Sequence, residues 1–84
     1  MSNNYKITGL ALKTLREQAD KTLEESARQC GYGKAWLSNI ESGIRRLTFD
    51  DAKTLTKFYG VDVQVLADLE DALLNVRGKM RKDV

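Results

Sequence analysis

Eighty-four residues with 42% apolar content make one small domain with a single core and little more. A lone cysteine excludes an internal disulfide and suits a reducing compartment, which we read as the cytoplasm. No apolar run approaches membrane-spanning length and no signal-like apolar segment follows Met-Ser-Asn-Asn-Tyr-Lys, so neither a membrane partner nor export is expected.

The net charge of +2 hides an uneven distribution. Residues 1–46 carry eight Lys/Arg against five Asp/Glu, residues 47–76 two against six, and residues 77–84 four against one. Such asymmetry is a better sign of a polyanionic partner than the total. The absence of proline, and apolar residues spaced three and four apart, predict an all-α chain of five helices joined by short connections. No repeat, low-complexity segment or interdomain linker interrupts it.

In chain order, Thr8 is placed to cap a first helix with a buried stripe of Leu12, Leu15 and Ala19, flanked by Leu10 and Ala11. Thr22 is placed to cap a second, with Glu24 and Glu25 in its favourable first turn, Ala27 and Cys30 inward, and Gly31 as its stop. Tyr32-Gly33 leads into a third helix from Lys34 that ends before Gly43. Its Leu37 and Ile40 point one way, and Glu41 falls on that same apolar side. A carboxylate facing a core needs a cation. Ala35, Ser38, Asn39 and Ser42 fall opposite, with Lys34 in the first turn: short polar side chains prepared to touch something. Thr48-Phe49-Asp50-Asp51 opens a fourth helix burying Ala52, Leu55 and Phe58, alone or with Tyr59, and ending at Gly60. Asp62 caps a fifth that runs to about Arg77.

The span Thr22 to Gly43, TLEESARQCGYGKAWLSNIESG, resembles the helix-turn-helix of the phage repressor and Cro family, also called the Xre family. The matching features are Glu-Glu-x-Ala in the second helix, Gly31 in the turn and Leu-Ser-x-Ile-Glu-x-Gly in the third, and the likeness covers about Leu10 to Leu66. The resemblance implies a compact five-helix, lambda-repressor-like domain over residues 1–76 whose third helix enters the DNA major groove. It also implies that Glu41 pairs with Arg16 of the first helix as a structural ion pair. Lys34, Ala35, Ser38 and Asn39 then match or adjoin base-reading positions. Lysine can donate to guanine, asparagine can bond adenine, and the alanine methyl can meet a thymine methyl. Ser42, Arg45, Arg46 and Thr48, with Thr22 and Lys21 on the other side, are the expected phosphate contacts.

Three positions depart from the family pattern. Leu23 stands where a phosphate-bonding glutamine is common, which passes that contact to Thr22 or Lys21 or gives the leucine a packing role. Ser26 replaces a frequent leucine, and Asp20 the usual glycine after the first helix. Trp36, on the flank of the third helix, is read as a packing residue, Tyr32 either as a phosphate donor or as turn packing, and Cys30 as a small buried hydrophobe.

Leu69, Leu73 and Val76 exceed what a small core absorbs, and family members bind two half-sites as symmetric dimers, so these residues are the expected dimer interface. Residues 77–84, RGKMRKDV, are read as a disordered basic tail. With no histidine, no thiol–base pair, no metal-ligand cluster and no phosphate-cradling glycine loop, neither an enzyme nor a cofactor or metal is expected. The resulting expectation is a dimeric, sequence-specific regulator of double-stranded DNA, a repressor on a palindromic operator. Its rivals are an antitoxin-type regulator that also binds a toxin, a regulator with another protein partner such as an antirepressor, and a protein-interaction module that has lost DNA binding.

Overall fold

The computed structural model describes the backbone of residues 4–82 and the side chains of residues 5–75. It comprises α1 (Asn4–Gln18), α2 (Leu23–Gln29), α3 (Lys34–Glu41), α4 (Phe49–Phe58) and α5 (Val63–Lys82), an all-α fold with no strand among the described residues. Three of the helix starts are held by side chains. The Thr22 hydroxyl accepts from the Glu25 N–H at 3.1 Å while the Glu25 carboxylate accepts from the Thr22 N–H at 2.7 Å, a complete capping box. Thr48 accepts from the Asp51 N–H at 3.2 Å, and Asp62 from the Gln64 N–H at 2.8 Å.

Two boundaries differ from the sequence expectation. Thr8 does not cap α1; it lies inside a helix that already begins at Asn4. Ile7 is buried and extends the stripe of Ala11 and Leu15 backward by one turn, and the Thr8 hydroxyl donates across the fold to the Glu70 carboxylate. At the other end, α5 runs on to Lys82 through the segment read as a disordered tail. Lys79, Met80, Arg81 and Lys82 are good helix formers, and the single Gly78 costs only about 1 kcal/mol. Residues 83–84 lie outside the described residues, as does the side chain of Val76.

The core forms where α1 packs on α3 and α5, α2 on α3 and α4, and α4 on α5. Leu12, Leu37, Ile40 and Leu55 are fully buried, joined by Ala11, Leu15, Ala27, Ala52, Tyr59 and Leu66. Leu23 and Trp36 are half-buried against this cluster, and the Trp36 ring stacks on Tyr32 at 4.3 Å. Ser26, where a leucine is frequent, is fully buried, and its hydroxyl donates to the Thr22 carbonyl at 2.7 Å. Asp20 takes the left-handed conformation its position requires, at φ 59°.

α1 and α3 touch backbone to backbone. A Cβ at Gly9 would lie 2.3 Å from the Ile40 carbonyl oxygen and 2.6 Å from that of Glu41. No side chain fits there, so Gly9 sets the spacing of the two helices. Gly9→Ala is expected to destabilise the fold by at least about 1–3 kcal/mol in urea unfolding. Gly33→Ala, where the added carbon meets nothing within 4 Å, should cost no more than about 1 kcal/mol.

Two groups tie stability to alkaline pH. Burial pushes the half-buried Cys30 thiol from 9.0 up to about 11, with the charge of Asp51 adding to the effect. Burial likewise pushes Tyr59 up to about 12, with the nearby Ser26 hydroxyl acting in the opposite direction. Both keep their protons longer in the folded chain than in the unfolded one, so their contribution is intact below about pH 9 and is lost as pH rises through 11 and 12. At pH 8, iodoacetamide should alkylate Cys30 about 100-fold more slowly in the folded chain than in urea, as two pK units of lost thiolate require. Equal rates would show that the thiol is not held protonated.

Candidate nucleic-acid interface

Eight residues of α3 divide cleanly by face. Leu37 and Ile40 are buried, while Lys34 and Ala35 are exposed and Ser38 and Asn39 half-exposed. Ser42, the residue that ends the helix, is also exposed. Lys34, Ala35, Ser38, Asn39 and Ser42 therefore share one outward strip about two turns long. None of these side chains forms a salt bridge among the described residues.

What holds this strip in place is Glu41. Its two carboxylate oxygens accept from Arg16 Nε at 2.7 Å and Arg16 Nη2 at 3.1 Å, and Arg16 Nη1 donates to the Lys21 carbonyl at 2.8 Å. The side chains are only 12% and 7% exposed. One guanidinium thus ties α1 both to the end of α3 and to the turn that starts α2, and its hydrogen bond to the Glu41 carboxylate raises the Arg16 pKa above its ordinary value. Gly31, at φ 81°, makes the tight turn between α2 and α3.

Beyond α3, the N–H groups of Ile44 and Arg45 both donate to the Asn39 carbonyl, at 2.9 and 3.2 Å. The chain folds back on the helix end, and Arg45 and Arg46 emerge beside it exposed. On the opposite flank, Lys21, Thr22 and Lys34 border a common depression of about 430 Å³. Two of the expected phosphate contacts there have other engagements. The Lys21 ammonium sits over the Phe58 ring, 4.8 Å from its centroid, and the Thr22 oxygen accepts the Glu25 cap. Glu24 and Glu25 also place negative charge on the first turn of α2. Thr48 is similar, with its oxygen capping α4 beside Asp50 and Asp51. Positive charge is thus least contested at the Arg45–Arg46 end.

Of the three residues anticipated as a dimer contact on α5, the side chain of Val76 lies outside the described residues. Leu69 and Leu73 are half-buried against the domain's own core, whereas Leu74 is 48% exposed. Tyr5 and Lys6 carry no role in the sequence reading, because it starts the first helix after them. In the structure they adjoin the Arg45–Arg46 loop. The available signal was Ile7, four residues before Ala11, together with a glycine inside a helical pattern, which marks a close approach.

Breaking the Arg16–Glu41 pair from one side should be costly. Glu41→Gln is expected to lower stability by about 3 kcal/mol, since a nearly buried guanidinium loses its counter-charge while the amide oxygen still accepts one bond. A double replacement, Arg16→Met with Glu41→Leu, should cost less than the two single changes summed. Urea unfolding of the four proteins measures both quantities; additive effects would show that the pair is not coupled.

No described helix is long and apolar enough to cross a membrane. Searches among curated proteins and among solved structures gave no match. The family model for a helix-turn-helix domain, by contrast, matches residues 8–69, from the first turns of α1 well into α5. With α2, the Gly31 turn and α3 inside that span, the chain belongs to the helix-turn-helix domain family, a family of DNA-binding domains.

Proposed function

We propose that the protein is a sequence-specific regulator of transcription that places α3 in the major groove of double-stranded DNA. The observation that carries this reading is the outward strip of α3: one cation, two hydroxyls, an amide and a methyl, without the salt-bridge ladder of an ordinary solvated helix. Lys34, Ala35, Ser38 and Asn39 read base edges, while Ser42, Arg45 and Arg46 hold phosphates and set the register. Thr22 and Thr48 keep a hydroxyl proton to donate even as their oxygens cap helices. Lys21 joins them only by leaving the Phe58 ring.

Within the helix-turn-helix family we place the chain with the phage repressor and Cro (Xre) group, on Glu-Glu-x-Ala and Leu-Ser-x-Ile-Glu-x-Gly together with the Arg16–Glu41 pair that the resemblance implies. The action that follows is occupancy of promoter DNA, hence repression, by a symmetric dimer on a palindromic operator. The dimer contact is assigned to α5, through what Leu69 and Leu73 leave exposed, together with Val76 and the adjacent Leu74.

Selection from a randomised pool of duplexes at moderate salt tests this reading. Wild-type protein should enrich an inverted repeat with half-sites about one helical turn apart. Asn39→Ala should relax preference at one base position of each half-site by about 1–3 kcal/mol, with the rest of the site unchanged. Retention of DNA without enrichment would reduce the function to backbone attraction. No retention would favour a protein-interaction module, for which Leu23 and the acidic first turn of α2 are the supporting features.

A further inference from the structure

The start of α1 is built into the cationic end of the interface. Gly43, just past α3, has no Cβ because one would lie 2.6 Å from Lys6 Cγ and 2.9 Å from Lys6 Cα. The Lys6 stem therefore runs directly over the residue from which the chain turns into Ile44, Arg45 and Arg46. A second contact reports the same juxtaposition. Tyr5, Thr8, Ile40, Arg45, Arg46 and Leu47 line one cleft of about 150 Å³ between the first turns of α1 and the loop. Lys6, Arg45 and Arg46 are all exposed. Two nearby carboxylates are engaged: Glu41 is neutralised by Arg16, and Glu70 accepts from the Thr8 hydroxyl, while Glu17 of α1 and Asp68 and Asp71 of α5 are exposed. The first turn of α1, which carries Lys6, thus lies against the C-terminal end of α3 and the loop that carries Arg45 and Arg46, a juxtaposition that nothing in the sequence pattern announces.

We infer that Lys6 completes a phosphate-binding site with Arg45 and Arg46, so that the first turn of α1 is part of the DNA-contacting surface. This rests on the DNA-binding reading above and assigns its backbone contact to one end of α3. Two guanidiniums offer paired donors to phosphate oxygens, and the ammonium adds a third charge on a flexible stem. The occupant is a DNA phosphate, a contact that carries no base preference. It also compensates for the flank at α2, where Leu23 cannot donate and Glu24 and Glu25 oppose an anion. A purely structural reading exists: a cation near the last carbonyls of α3 favours that helix's dipole. The two differ in what they do to salt dependence.

The test measures binding of an arbitrary 24-base-pair duplex by fluorescence anisotropy across a salt series, for wild type, Lys6→Ala and Lys6→Arg, with thermal unfolding of each. Each lost phosphate contact lowers the slope of log K against log salt by about 0.9 per bound protomer. Lys6→Ala should lower it by that amount and weaken binding several-fold at low salt, with Lys6→Arg restoring both. The site preference found for wild type in the randomised pool should survive in Lys6→Ala. An unchanged slope in Lys6→Ala, whether or not its unfolding temperature falls, overturns the assignment of Lys6 while leaving DNA binding through α3 intact. Wild-type protein that binds no duplex at any salt overturns both.

Discussion

The Arg16–Glu41 ion pair, together with the backbone contact at Gly9, is the constraint on which the rest of the domain depends. A helix of eight residues is too short to be stable alone. α3 persists because Leu37 and Ile40 are buried beneath it, because Gly9 lets α1 lie against its last carbonyls, and because a bidentate guanidinium holds its final residue. The same guanidinium reaches the Lys21 carbonyl, so the entry to α2 and the exit from α3 are referred to one side chain of α1. The outward strip is thereby held in place without any salt bridge of its own among the described residues, which suits the reading role proposed for it.

This division of labour has an electrostatic cost at the helix starts. α2 and α4 are capped by threonines and carry Glu24, Glu25, Asp50 and Asp51 in their first turns, a stabilising arrangement for the helices themselves. Those same carboxylates oppose a phosphate at either helix N-terminus. Lys21 adds little on that flank while its ammonium rests on Phe58. Positive charge is instead gathered at the other end of α3, in a loop folded back onto the Asn39 carbonyl. The surface is therefore lopsided, and in the proposed complex its approach to DNA is governed from the loop side.

Much of this was legible in the residues. The helix count, the caps at Thr22, Thr48 and Asp62 and the inward Leu37 and Ile40 follow from local rules of spacing and capping, while the turn at Asp20 was marked only by the glycine that the resembled family has there. Glu41 on the apolar side of its helix demanded a cation, but only the family resemblance named Arg16, since pairing across 25 residues leaves no local trace. The misreadings were at the ends. Thr8 looks like a cap in isolation, yet Ile7 repays burial and draws α1 back to Asn4. Residues 77–82 are helical because nothing in them ends a helix that α5 has already nucleated. Lys6 went unread for a related reason: its neighbour Gly43 is brought to it by the tertiary fold alone.

The most direct measurement is a ¹⁵N–¹H amide titration of the protein with the duplex recovered by selection. The account predicts that the largest shifts fall on 34–42 and on Arg45 and Arg46, with the α4–α5 surface around Phe49 and Val65 undisturbed. Shifts centred on that surface, with the α3 amides unmoved, would contradict the claim that the outward strip of α3 is where this protein meets DNA.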